Sequence, residues 1–225
     1  MKTLLFLPFL FLFFTANAQH YVRTKKNIGI TASYNFIENT RYDASAYRAA
    51  EGNSFAIGIT HQLKHVLYPE LFFIQHRGTF PTSTESPIAA SPYTMNGIGA
   101  GLTTKFDLFT FDNKKKNGIC FARVVNVLVG ADYTYNFDIT SNANLSTMNE
   151  VNGKIGLGMY SIWGGSSKNH ATWTIHWEGY YKYGFSPFMK IESFRPQGYA
   201  QSFEHSSVGL TLRLMYHKSY KFSEM

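Results

Sequence analysis

Between Ile28 and Tyr216 the chain offers about eight extended segments, and in all but the third large apolar side chains alternate with glycine, small or polar ones. A period of two belongs to extended strands, whose successive side chains point to opposite faces. The fourth segment is the clearest. Ile98, Ala100, Leu102, Phe106 and Leu108 fall on one face, and Gly97, Gly99, Gly101, Thr103, Lys105 and Asp107 on the other. Beyond Phe14 no apolar run approaches the ~20 residues that a transmembrane helix needs, so any bilayer crossing must use strands.

The other segments follow suit. The first sets Ile28, Ile30, Tyr34 and Phe36 against Gly29, Thr31, Ser33 and Asn35, and the second Phe55, Ile57 and Ile59 against Gly58 and Thr60. The fifth sets Val125, Val127, Val129, Tyr133 and Tyr135 against Asn126, Gly130, Asp132 and Thr134. Arg123 is its exception, near a strand end where a long side chain can snorkel. In the sixth, Ile155, Leu157 and Met159 oppose Lys154, Gly156 and Gly158; in the seventh, Ile175, Trp177 and Tyr181 oppose His176, Glu178 and Lys182; in the eighth, Leu210, Leu212 and Leu214 oppose Gly209, Thr211 and Arg213. The third, around Leu71-Phe72-Phe73-Ile74, is apolar on both faces and takes no assigned orientation.

Connections supply an independent test. Long polar stretches follow the first, third, fifth and seventh segments, around residues 38–53, 78–96, 136–150 and 184–204, and shorter ones follow the others, at 64–68, 110–118 and 164–171. This alternation is what an antiparallel meander threaded through a membrane produces.

The N-terminus reads as an export leader. Lys2 precedes an apolar stretch from Leu4 to Phe14, and Ala16 and Ala18 supply the small residues of a signal peptidase site, with cleavage expected before Gln19. The expected organisation is a signal peptide at 1–18 and a single β-barrel domain at 19–225. Cys120 is the only cysteine, which excludes an internal disulfide and a lipid-bearing cysteine at the cleavage point. The net charge of +7 is dispersed. Its dense run, Lys114-Lys115-Lys116, lies between Asp112 and Asn117-Gly118 and reads as a solvated turn. Export makes nucleic acid an improper partner.

Aromatic residues make up 17% of the chain and charged residues 16%, against about 25% charged in ordinary soluble domains. A soluble lipocalin-like periplasmic carrier would turn its apolar face inward and carry a charge-dense exterior. Here the polar face is rich in glycine, which suits a narrow interior. The expected fold is therefore all-β: an eight-stranded antiparallel up-and-down transmembrane β-barrel, in a Gram-negative outer membrane with both termini periplasmic. Tyr34, Tyr133, Tyr135 and Tyr183 mark one aromatic girdle, and Phe109, Phe121, Trp163, Trp173 and Tyr216 the other. An eight-stranded interior is just wide enough to be filled by side chains. Lys105, Asp107, Asp132, Lys154, His176, Glu178, Lys182 and Arg213 are expected to form a lumenal polar network that plugs it, with Glu178 flanked by Lys154 and Arg213.

The mature length resembles the bacterial outer-membrane β-barrel domain family, the small OmpA-like and PorT-like barrels. The resemblance is carried by Ala16-Asn17-Ala18-Gln19, the eight alternating segments, and Tyr68-Pro69-Glu70-Leu71-Phe72-Phe73 followed by Arg77-Gly78. The chain closes on Phe222-Ser223-Glu224-Met225, where many members close on an aromatic residue. The resemblance implies contact with outer-membrane lipid and lipopolysaccharide. It also implies a role as structural anchor or binding scaffold, with a protein or glycan partner at the extracellular loops, whose aromatics include Tyr93, Phe185, Phe188, Phe194 and Tyr199.

Some small barrels modify lipid A, and one deacylase type carries His-x-Ser on a strand. His205-Ser206-Ser207 matches that spacing, but chemistry also needs a carboxylate to orient the imidazole. Only Glu224 follows, and Glu204 points to the other face of an extended segment. His176 and Glu178 share a face without a third ligand. No catalytic, metal or cofactor site is expected.

Overall fold

The computed structural model describes residues 22–23, 26–41, 50–63, 66–80, 91–116, 119–141, 145–165, 172–187, 189–191, 201–218 and 221–222. The expected leader, with Ala16, Ala18 and Gln19, lies outside them. Eight long strands dominate: β1 Lys26–Arg41, β2 Ala50–His61, β3 Leu67–Phe80, β4 Ser91–Lys116, β5 Ile119–Ser141, β6 Glu150–Gly165, β7 Thr172–Gly184 and β8 Gln201–Lys218. Each pairs antiparallel with the next, and β8 returns to β1, from Phe203 opposite Arg41 to Lys218 opposite Lys26. The sheet is closed, so no barrel strand is left with an unpaired edge.

Lateral partners do not return to their starting point. From Gly29 the rows run through Thr60, Glu70, Gly101, Asp132, Asn152 and Gly184 and arrive, by the β7–β8 register, at Asn39, ten residues further along β1. That stagger is the shear that tilts the strands and sets the interior width.

Strand β4 has 26 residues and β5 has 23, well beyond the ~9–11 that cross a bilayer. Their pairing continues to Lys116 opposite Ile119. Lys114-Lys115-Lys116 is thus strand backbone rather than the expected turn. The reason is local: an Asn-Gly dipeptide favours two-residue hairpin turns, which suits pairing that continues up to Lys116 and Ile119.

Two short strands, Leu145–Thr147 and Met189–Ile191, pair with each other, and the second also pairs with Gln201–Phe203 of β8. The β5–β6 and β7–β8 connections are thereby zipped together on one rim. At the other rim Val22–Arg23 pairs with Lys221–Phe222 beside the β2–β3, β4–β5 and β6–β7 connections.

The faces separate cleanly. Ile30, Ile57, Ile98, Ile155, Leu157 and Leu210 point outward, each more than half exposed. Thr31, Asn35, Asn126, Thr134, Thr174 and Thr211 point inward and are buried. Tyr34, Tyr133, Tyr135, Tyr183, Phe109 and Trp173 lie on the outer surface, and Trp173 meets Tyr216 edge-on at 5.1 Å. The side chains of Phe121 and Trp163 lie outside the described set. Tyr93 is a correction: it belongs to β4 and is buried in the interior, not carried on a loop.

Strand β3 turns Leu71 and Phe73 outward and Tyr68, Glu70, Phe72, Ile74 and His76 inward. Its double apolar character has a packing cause. Phe72 fills the recess over the glycines of β4, where a Cβ on Gly99 would lie 2.3 Å from its ring. Tyr180 likewise occupies the space over Gly209, where a Cβ would come within 2.5 Å.

Candidate functional site

The described inward-facing side chains group into two charged layers with an aromatic and amide layer between them. In the lower layer, nearer the chain ends, Arg213 of β8 is wholly buried and directs its three nitrogens to three strands. Nε donates to Glu178 at 3.2 Å, Nη1 to Thr60 at 2.7 Å and Nη2 to Glu70 at 3.3 Å. Lys105 of β4 forms an ion pair with the same Glu178 and lies 2.9 Å from His176 Nδ1. Thr31 donates to the second oxygen of Glu70.

Tyr68 underlies both cations, with Lys105 Nζ 4.3 Å and the Arg213 guanidinium carbon 5.1 Å from its ring centroid. His176 is stacked on Tyr160 at 4.9 Å, and Tyr160 donates to Asp107 at 2.8 Å. Below them Thr174 bridges His176 and His217 at 3.0 and 2.8 Å, and His217 reaches Asn27 at 3.1 Å.

The middle layer is Phe72, Ile74 and the Tyr180 cluster. Tyr180 donates to Asn35 at 2.7 Å, Asn35 to Ser54 at 2.9 Å, and Ser33 shares a 2.7 Å bond with Thr211. In the upper layer Lys182 pairs with Asp132 at 3.0 Å, and Asn152 links Asp132 to Glu150 at 2.9 and 3.0 Å. Asn136 donates to Glu150 at 3.1 Å and His76 lies 3.3 Å from it. A buried charge is tolerated only where partners replace its water. Glu178, Arg213, Lys105, Asp132 and Lys182 each have them.

All eight residues singled out from the sequence face the interior. Lys105, His176, Glu178 and Arg213 meet in the lower layer, and Asp132 and Lys182 in the upper. Asp107 is held by Tyr160, apart from Lys105 on its own strand. Lys154 stands on the strand next to Glu178 but makes no ion pair with it among the described residues: its lateral partner is Lys182, and its ammonium lies over Tyr180 at 5.6 Å. Lys105 takes the expected place because the lumen is narrow enough for side chains to meet across it rather than only between neighbouring strands. Sequence reading missed Glu70, Thr60, Tyr68, Tyr160 and Glu150. The signal for Glu70 lay in β3 itself, where Tyr68, Glu70 and His76 share one parity.

Ser207 faces the interior and is buried, and its Oγ has no hydrogen-bond partner among the described residues. The His205 side chain lies outside the described set. Among the described residues no group of three or more His, Cys, Asp or Glu is placed to hold a metal ion. Among the described residues, a pocket of about 40 Å³ lies in the lumen between Glu70, Asp132, Lys154 and Lys182.

No family model and no curated protein matches the chain. The solved structures to which it is similar include three outer-membrane proteins. One is the outer membrane protein OprG from Pseudomonas aeruginosa, 10% identical over 88% of this chain and 98% of that one, with a TM-score of 0.39. Another is the outer membrane protein AlkL, 11% identical over 91% and 94%, with a TM-score of 0.36. The third is Ail, the attachment invasion locus protein of Yersinia pestis, 12% identical over 85% and 98%, with a TM-score of 0.32.

Proposed function

We propose that this chain is a non-enzymatic β-barrel of a Gram-negative outer membrane. Its lumen is plugged by its own side chains, and it serves as an anchor or scaffold for its extracellular loops. The observation that carries the reading is the opposite polarity of the two faces. Outward Ile, Leu and Phe side chains form a band around the closed sheet, and the ion pairs lie inside. A soluble monomer rarely exposes contiguous apolar area beyond a few hundred Å², whereas a bilayer requires such a band. A carrier with a greasy interior is disfavoured by the same contrast.

The rim that joins the chain ends faces the periplasm in this reading, and the rim with the zipped connections faces outward. There β-pairing between Leu145–Thr147 and Met189–Ile191 gives a protein or glycan partner a rigid platform. Two side-chain layers obstruct the lumen, so the barrel does not act as an open diffusion pore. Burial of Ser207 inside the barrel, away from the lipid-facing surface, supports the absence of acyl-ester chemistry.

Membrane fractionation followed by electrophoresis with and without boiling tests the location. A heat-shifted band in the outer-membrane fraction is expected, and a soluble periplasmic protein overturns the reading. Planar-bilayer recording tests the plug: steady porin-sized conductance from the purified barrel would exclude it.

A further inference from the structure

Outward side chains of β3, β4 and β5 change character within a few residues at one place on the wall. Two lateral rows, Ile57–Phe73–Ile98–Tyr135 and Ile59–Leu71–Ala100–Tyr133, are apolar. They line an open trough of about 730 Å³, at which Ala100 presents only a methyl group to the outer face. A second recess of about 460 Å³ shares Ile59, Leu71 and Ala100 and carries the trough toward His61 and Pro69. Volumes of this order hold small-molecule ligands.

Towards the rim with the zipped connections, the next outward positions of β3, β4 and β5 carry polar side chains that are hydrogen-bonded along β3 and across to β4 and β5. Arg77 Nε donates to Gln75 at 2.8 Å, Gln75 to Asn96 at 3.1 Å and Asn96 to Asp138 at 3.1 Å. Asp138 belongs to this outer surface because of a bulge. The register shifts between Asn96 and Gly97, which face Asp138 and Asn136, leaving Phe137 as the extra residue. An extra residue reverses the alternation beyond it, so Asn136 points inward while Phe137 and Asp138 both point outward. Phe137 stacks on Tyr135 at 6.4 Å, extending the aromatic wall up to the polar row.

We propose that this surface binds one phosphorylated, multiply acylated glycolipid of the outer leaflet. The inference rests on the membrane reading above and adds a defined site to it. An acyl chain lies in the trough, and sugar hydroxyls meet the Gln75, Asn96 and Asp138 side chains. A phosphate meets Arg77, whose exposed guanidinium has no ion pair among the described residues and is oriented through its Nε by Gln75. Arg77 and Asp138 stand on strands two apart, roughly 10 Å at the usual ~4.8 Å strand spacing, so the carboxylate does not compete for the guanidinium. Arg77 is four residues beyond Phe73 on the same strand, about 13 Å at the rise of an extended chain. That separation places the phosphate above the apolar band while the chain stays within it.

Native mass spectrometry of the full chain in detergent, with added hexa-acyl bisphosphorylated lipid A, dephosphorylated lipid A or phosphatidylglycerol, tests the site. One lipid A per barrel is expected, held at least about tenfold more tightly than either of the others. Arg77→Ala should abolish the preference for the phosphorylated form, and Ala100→Phe, which fills the trough, should weaken both lipid A forms alike. Equal retention of all three lipids, or unchanged selectivity in both variants, would overturn the proposal. Heat-modifiability of each preparation separates the two readings: a folded barrel without selectivity defeats the glycolipid site alone, and a chain that never inserts defeats the membrane reading first.

Discussion

Lys105 of β4 and Glu178 of β7, 73 residues apart in the chain, form a buried ion pair across the interior of the barrel. Arg213 shares the same carboxylate oxygen of Glu178 and continues to Glu70 and Thr60. Glu178 is thus the counter-charge of two cations, and removing it strands both. We expect Glu178→Gln to destabilise the folded barrel by about 3–5 kcal/mol. The double variant Lys105→Met/Glu178→Gln should lose less than the two single changes summed. Urea unfolding from lipid vesicles measures both, and strict additivity would remove the coupling argued here.

Phe72 and Gly99 are a matched pair in which the ring occupies the space that a Cβ would need. Gly99→Val should cost at least 1–3 kcal/mol through overpacking, on the order seen when cores receive extra methylenes. Shrinking the partner in Gly99→Val/Phe72→Ala should restore part of that loss. Thermal unfolding of the three proteins decides it, and a double variant worse than both singles would argue against the complementarity.

Leu210 stands on the outer face of β8, 62% exposed. If that face meets hydrocarbon, Leu210→Arg should destabilise insertion by about 2–4 kcal/mol. On a water-exposed surface the same change would be nearly neutral. Refolding yield into vesicles against urea separates the cases.

Ser207 is enclosed in the lumen, on the face opposite the outer surface that lipid A would meet. His205→Ala and Ser207→Ala should each leave the lipid A acylation profile of the expressing cells unchanged. A loss of deacylated species in either variant, with the barrel still heat-modifiable, would restore the enzyme reading.

Alternation determined the strand count and the two faces of seven of the strands, and the alternating loop lengths the antiparallel order. It did so because a strand has a period of two whatever it packs against, and closing the sheet makes one face inside and the other outside. The interior location of Lys105, His176, Glu178 and Arg213 was legible on the same grounds. Their partners were not, because contacts across a lumen depend on shear and curvature, which no single strand encodes. Strand β3 was illegible for a related reason: Phe72 is apolar yet inward, and only its fit over Gly99 on the neighbouring strand explains why. Likewise the outward turn of Asp138 follows from one extra residue at Phe137, a bulge that only the pairing of β4 with β5 creates. The sequence alone therefore determined which residues are inside on the strands that alternate cleanly, and the tertiary structure decided the faces of β3 and of the residues beyond the bulge, and which interior groups touch.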